Sequence, residues 1–383
     1  MKKEYKKIKV AYFYTIFRNA AMARWVQNIT DNIDQSKYAV SFVGLKIEES
    51  FKSEIPSDVC VVDLSNPYIP TALFKLILYF RKERPDIFVS AFPHINVLAV
   101  MAKILSGVKT KVILTDHNHF IGLVYNARSL YRRIFGIFIL PYFIKILYPL
   151  SDAIICCSQG VAESISEIVN LKDKLRVIYY PVAYDKIREW AKESVDYPWF
   201  SDQKIPVVLG AGRLLNQKDF PTLLKAFQLV TKAMPARLVI LGDGVDKQKL
   251  ENLTKELGIA EKVMFLGFQI NPFKYMKRAS VFVLSSLHEG FGNVLVEAMA
   301  CGTSVISTDC KSGPREIIEN GKSGILVPVG DYQSLSEVII KVLSDNSLRQ
   351  KFSTEGLERV KYFSAEKNIR GYEKVFQELM IKV

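Results

Sequence analysis

Five cysteines and four histidines in 383 residues leave little material for metal or disulfide chemistry. Cys60, Cys156, Cys157, Cys301 and Cys310 form no C-x-x-C pair and no metal-ligand spacing with the histidines, which points to a reduced, cytosolic setting. No run reaches the roughly 18 uncharged apolar residues of a membrane span. The basic start "MKKEYKKIKVAYFYTIF" has a short apolar run broken by tyrosines and no small-residue cleavage site, so it reads as a first β-strand and not a signal peptide. No stretch is low-complexity. Acidic residues are also short, 39 against 52 Lys and Arg, for a formal net charge of +13. That surplus suits nucleic acid, anionic headgroups or phosphorylated substrates, and equally a Lys-rich surface with no special partner.

What the chain does have is length for two cores. Short β-branched runs alternate with amphipathic ones throughout, the pattern of an α/β protein with parallel sheets covered on both faces. Strands are expected at 8–14, 39–45, 59–64, 86–92, 111–116, 153–158 and 175–180, then at 205–213, 237–243, 262–268, 280–286, 303–309 and 323–329. Between them "KIREWAKESVDYPWFSDQK" turns polar and aperiodic. The expected plan is a domain over 1–185, a linker over 186–204, a second domain over 205–363, and a last helix over 364–383 that crosses back to the first domain. Each domain is a doubly wound, Rossmann-like parallel sheet, and a cleft between them would gather ligands at the strands' carboxyl ends. The apolar stretch 130–150, with Arg132, Arg133 and Lys145, reads either as a helix on a membrane surface or as a buried inter-domain helix kinked at Pro141.

"LGAGRLLNQKDF" follows a buried strand, and Gly210 and Gly212 let backbone approach a ligand closely. The third glycine of a dinucleotide fingerprint falls at Leu215, and Gly-Lys-Ser/Thr is absent, so neither NAD nor a phosphate-loop nucleotide is indicated. Arg213 and Lys218 remain, two cations beyond a strand's carboxyl end that suit a diphosphate, or else two solvated side chains on an ordinary loop. "SSLHEGFGNVLVEAMACG" leads from a strand through a glycine loop into a helix whose apolar face is Val294, Leu295, Ala298 and Met299. Gly290 and Gly292 allow the amides of Phe291, Gly292 and Asn293 to face an anion at the positive end of the helix. Glu289 and Glu297 can accept hydrogen bonds from hydroxyls of a sugar and a ribose, although a glutamate in a first helical turn also fits simple dipole stabilisation.

E-G-F-G-N-V-L-V-E with its E-x7-E glutamates, and the upstream G-x-G-R-x4-K, resemble the retaining glycosyltransferases of the GT-B fold, family four. "LGDG" (241–244), "FLGF" (265–268) and "SGPREII" (312–318) fall in order through the second half, and "TDHNHF" and "LSDAIICCSQGVAESI" extend the likeness loosely into the first. The resemblance implies that Arg213 and Lys218 bind the donor diphosphate, with Gly212 beside them, that Glu289 holds the donor sugar and Glu297 the ribose. The amides after Phe291 would take the phosphates, within a donor-binding run of Gly290, Phe291, Gly292, Asn293 and Val294, and the loop Gly267, Phe268, Gln269 would flank the base. His117, after a first-domain strand, matches a histidine near the donor sugar, with His119 as a rival two residues on and Asp116 as a group that could orient either ring.

Where relatives carry a Gly-Gly pair after the first strand, "TIFRNAAMARWVQN" stands here, so Arg18 and Arg24 are the acceptor-side candidates. Tyr180 replaces a usual asparagine. The expectation is a retaining transfer of a hexose or N-acetylhexosamine from a UDP-sugar to a saccharide, catalysed by His117, Arg213, Lys218 and Glu289 with no cofactor. No D-x-D motif is present, so no metal is expected. The acceptor would be carried on a polyprenyl diphosphate or other lipid, reached at an anionic membrane surface from the cytoplasm. Nucleic acid is not an expected partner, for the chain lacks aromatic-basic interleaving. A sugar-nucleotide epimerase of the same architecture is the alternative, and a non-catalytic nucleic-acid-binding protein the remote one.

Overall fold

The computed structural model describes residues 6–17, 19–53, 55–65, 69–118, 135–201 and 204–381. They form two units, one of 1–181 with 365–383 and one of 182–364.

In the first unit the strands are β1 (Ile8–Phe17), β2 (Tyr38–Ile47), β3 (Cys60–Asp63), β4 (Ile87–Ala91), β5 (Lys111–Asp116), β6 (Ala153–Cys156) and β7 (Leu175–Val177). All pairings are parallel, in the order β3-β2-β1-β4-β5-β6-β7. Strands covered on both faces read as nearly continuous apolar runs, and β4 (IFVSA) is buried at all five positions. The strand order reverses between β1 and β4. One core gathers Tyr12, Phe17, Trp25 and Phe42 with Ile369, Tyr372 and Phe376 of the helix Ala365–Ile381.

In the second unit β8 (Val207–Ala211), β9 (Arg237–Leu241), β10 (Val263–Gly267), β11 (Val281–Leu284), β12 (Val305–Thr308) and β13 (Ile325–Val327) are again all parallel, ordered β10-β9-β8-β11-β12-β13. Here the reversal lies between β8 and β11. Val208, Leu223, Phe227, Ile240 and Val283 are among the buried residues of its core.

Residues 186–204, expected as a linker, belong to the second unit. The helix Tyr184–Trp190 opens the segment, Trp190 stacks on Phe273 at 5.8 Å, and Trp190's carbonyl accepts a 2.8 Å bond from Asn271. Its isolated aromatics, aperiodic as a pattern, each find a packing partner: Phe200 meets Tyr275 and Trp199 lies under Arg237. The described part of the stretch 130–150, residues 135–150, is not a wholly buried helix. Residues 130–134 lie outside the described residues; beyond them a wide turn, Phe135–Ile139, leads into the helix Leu140–Leu147, with Pro141 in its first turn, where its missing N–H is harmless. Leu140, Ile144 and Leu147 are buried while Phe138, Tyr142 and Ile146 are exposed. Among the described residues, no helix is long and apolar enough to cross a membrane.

Candidate functional site

The reversal point of the second sheet brings together two of the residues singled out in the sequence. Lys218 comes from the loop after β8 and Glu289 from the loop after β11, and Lys218 Nζ meets Glu289 Oε1 at 2.6 Å with side chains only 15% and 9% exposed. Ser286 Oγ donates to the same Glu289 Oε1 at 2.7 Å, so the carboxylate is held through one oxygen. Oε2 has no hydrogen-bond partner among the described residues. Gly212 makes room for the lysine: a Cβ there would stand 2.9 Å from Lys218 Cε.

The two loops are tied by groups that the sequence did not signal. Ser285 Oγ donates to the Lys218 carbonyl (2.8 Å), Gln217 Nε2 to the His288 carbonyl (3.0 Å), and the Leu287 amide to the Gln217 carbonyl (2.9 Å). Arg213 sits on the same loop as Lys218 but is exposed, and it makes no ion pair among the described residues.

Glycine loops at neighbouring strand ends lace into one another: the Gly212 amide donates to Leu241 O (2.9 Å) and the Gly242 amide to Gly267 O (2.7 Å). Gly267 thus ends β10 beside them. Phe268 is 56% exposed, whereas the Gln269 amide is engaged locally, donating to Leu266 O (2.7 Å) and accepting from Tyr275 OH (3.1 Å).

Gly292 caps the helix Asn293–Ala300. Phe291 is buried with its ring against Phe363 at 5.3 Å, and Gly290 is buried with it. On the helix Leu295, Val296, Ala298 and Met299 are buried, Val294 only partly, so the apolar face is rotated by about one residue from the expected one. Glu297 lies at mid-helix, part-buried. Asn293 Oδ1 and Ser312 Oγ are buried without a hydrogen-bond partner among the described residues. Their two loops touch, since a Cβ on Gly313 would overlap the Phe291 carbonyl. Arg315, left without a task by the sequence, pairs with Asp309 after β12, its Nε donating to Oδ1 at 3.0 Å.

In the first unit His117 follows β5. Its Nε2 lies 3.0 Å from Thr115 Oγ1 and 3.3 Å from Tyr14 OH. Thr115 donates its one proton to Ser90 O (2.9 Å), so it accepts from His117, which places the proton on Nε2 and the lone pair on Nδ1. Nδ1 and Tyr12 OH are both buried without partners among the described residues, and both residues line one cavity of about 10 Å³, room for a single water. Burial pushes the imidazole down to about 4, so the ring is neutral.

Asp116 does not orient His117. Alternate residues of a strand point to opposite faces, and Asp116 turns to Tyr148 OH (3.1 Å) and Asn96 Nδ2 (3.3 Å), where burial raises its carboxyl to about 7. Arg24 is part-buried on the helix Asn19–Asn32. Arg18 and His119 lie outside the described residues, as do Arg132 and Arg133.

Two family models match the chain, Glycosyltransferase Family 4 over residues 22–186 and Glycosyl transferases group 1 over residues 192–359. An uncharacterised glycosyltransferase of Methanocaldococcus jannaschii is 32% identical over 392 residues, covering 90% of this chain and 93% of that one. The N-acetylgalactosamine-N,N'-diacetylbacillosaminyl-diphospho-undecaprenol 4-alpha-N-acetylgalactosaminyltransferase of Campylobacter jejuni is 32% identical over 278 residues, 72% of each chain. Among solved structures, Anabaena HepE in complex with UDP superposes with a TM-score of 0.74 at 17% identity, over 97% of this chain and 100% of that one. Two all-parallel α/β units and these matches together make the chain a member of the group 1 glycosyltransferases, family 4, with the GT-B fold.

Proposed function

We propose that the chain transfers a hexose or N-acetylhexosamine, with retention, from a UDP-sugar to a saccharide hydroxyl, and that no metal takes part. The observation that carries this reading is Glu289, held through one oxygen by Lys218 and Ser286 while the other is left to a ligand hydroxyl. Lys218 has three donors and uses one on Glu289, so two remain for diphosphate oxygens. Arg213 would add a forked contact to the same leaving group, and the backbone from Gly290 to Val294 would complete the cradle. Together these supply fixed positive charge where the departing phosphate gains negative charge. Glu297 would take the ribose and the Gly267–Gln269 backbone would flank the base. The unpartnered Asn293 Oδ1 and Ser312 Oγ support a polar ligand over these loops. His117, neutral and bonded within its own unit, would position the donor sugar without exchanging a proton; Arg24, with Arg18 and His119, would border the acceptor.

The acceptor is proposed to be lipid-linked and part of a surface glycan such as lipopolysaccharide or capsule, with the chain at the cytosolic face of an anionic membrane. The Campylobacter jejuni relative, named for a diphospho-undecaprenol substrate, supports this choice. No nucleic-acid partner is proposed.

A screen of nucleotide sugars for protection against thermal unfolding, run with EDTA, tests the donor and metal claims together. A UDP-sugar is expected to raise the midpoint, and NMR of the transfer product is expected to show the donor's anomeric configuration preserved. No protection by any nucleotide sugar, or an inverted product, would sink the reading. Incubation of the donor alone separates transfer from epimerisation.

A further inference from the structure

We propose that a basic pocket at the amino-terminal edge of the first sheet seats the phosphate of an anionic membrane lipid, with apolar residues of three neighbouring helices entering the acyl layer around it. The pocket, of about 740 Å³, is lined by Arg81, Arg84, Asp86, Lys109, Lys111 and Met380 among others. It opens where β4 and β5 begin, at the far end of those strands from Phe92 and His117. Within the first unit it is therefore separate from His117.

Three of the four lining cations make no ion pair among the described residues. Arg81 donates to the carbonyls of Leu105 (3.2 Å) and Ser106 (3.4 Å), which fixes the guanidinium and leaves Nη1 unused. Arg84 uses only Nε, on Arg81 O at 3.3 Å, and keeps both terminal nitrogens. Lys109 is exposed and makes no ion pair among the described residues, and Lys111 pairs with Asp152 at 3.4 Å. The two carboxylates near them also receive backbone amides: Asp86 accepts from Lys9 N and Asp152 from Val112 N, each at 2.8 Å. A concave site with three cations still offering donors and one lining carboxylate selects an anion, and forked guanidinium contacts match phosphate geometry.

The surroundings choose the source of that phosphate. Leu105 (53% exposed) and Ile104 (49%) end the helix Pro93–Ser106 directly before the pocket's Ser106 and Gly107. On the helix Ile69–Glu83, which packs beside it, Phe74 and Leu78 are exposed four residues apart on the stripe that runs on to Arg81 and Lys82. The helix Leu140–Leu147 packs on the other helix too, and with the turn before it exposes Phe138 (69%), Tyr142 (62%) and Ile146 (46%). Large apolar groups left this open on adjacent helices mark an interaction surface. Exposed Lys75 and Lys145 stand among them, with Lys82 beside Glu83 at 3.6 Å. Apolar residues beside unpaired cations match the interface of an anionic bilayer, where headgroup charge and acyl chains lie within a few ångströms of each other.

This inference rests on the proposed work at a membrane, and it is tested without donor or acceptor. Sedimentation with phosphatidylcholine vesicles, with and without phosphatidylglycerol, is measured at low salt for the protein, for the double variant Arg84→Glu/Lys109→Glu and for Leu105→Ser/Phe138→Ser. Unchanged thermal midpoints show that the variants are folded. The protein is expected to bind only vesicles containing phosphatidylglycerol. Charge reversal at two sites should weaken that binding by about tenfold or more, and the apolar double variant should weaken it while keeping the anionic preference. If the protein binds no vesicles, the membrane reading and the pocket fall together. If it binds and Arg84→Glu/Lys109→Glu binds equally well, the pocket alone is overturned. If millimolar inorganic phosphate stabilises the protein through Arg84 and Lys109 while Leu105→Ser/Phe138→Ser leaves vesicle binding intact, the ligand is a soluble phosphate and the lipid assignment fails.

Discussion

Both sheets reverse strand order beside their first strand, between β1 and β4 in one unit and between β8 and β11 in the other, yet the loops there are furnished in opposite ways. In the second unit the loops carry a sequestered ion pair, Lys218 with Glu289, and buried side-chain oxygens without partners. In the first unit rings fill the corresponding region. Tyr14 meets Phe92 at 5.8 Å, and His117 meets Phe92 at 5.8 Å and Tyr180 at 6.3 Å. The titratable groups at hand there, His117 and Asp116, are driven by burial toward their neutral forms. One topology, used twice, thus gives one end suited to handling charge and one suited to holding neutral groups still. Topology decides where a ligand can sit, and the side chains on the loops decide what chemistry is possible.

The sharpest way to break this contrast is to remove the charges. On the proposed function, Lys218→Ala and Glu289→Ala are each expected to lower kcat by about a hundredfold or more in a transfer assay, because each would remove a group serving developing charge or the sugar. Near-normal turnover in both would show that the pair is merely structural. The contact between the two loops of the charged end can be broken too. Gly313 has φ +93 and lies against the Phe291 carbonyl, so Gly313→Ala should lower stability by roughly 2 kcal/mol or more, read from denaturant unfolding. An unchanged midpoint would mean that these loops yield easily.

The neutral end can be probed through pH. With its carboxyl raised to about 7, Asp116 keeps a proton in the folded chain that the unfolded chain releases near 3.9. The associated stability is present below that unfolded value and is lost as the pH rises toward 7. Asp116→Asn should therefore flatten the fall in unfolding free energy between pH 4 and pH 8, by about 4 kcal/mol; an unchanged slope would mean that the carboxylate is ionised in place. His117 runs the other way. Lowered to about 4, it contributes fully above the unfolded value near 6.5 and less as the pH falls toward 4. The smallest expected effect is thus an absence: the pH-rate profile should show no limb between pH 6 and 7 that His117→Gln removes.

Much of this was legible before any coordinates. Each of the thirteen strands among the described residues falls within or across an apolar run read from the sequence, because a strand buried on both faces must be apolar along its length. Lys218 and Glu289 stood out for their place on glycine-bearing loops beyond strand ends. Ser286 and Gln217 did not, since a serine or glutamine carries no pattern until its partner is beside it. Residues 186–204 misled because packing of lone aromatics such as Trp190 leaves no periodicity. Asp116 was adjacent to His117 in sequence and turned from it in space, as neighbours on a strand must.

The order of residues by itself determined the alternation of strand and helix, the doubling of the fold and the residue types able to meet a nucleotide sugar, since these follow from local pattern and from loops that each strand end presents. Tertiary structure alone decided which groups meet. Lys218 and Glu289 are 71 residues apart and touch because β8 and β11 are neighbours, and Arg84 and Lys109 share a pocket because β4 and β5 start side by side. Contact between distant residues depends on sheet order, and sheet order is settled by how whole elements pack.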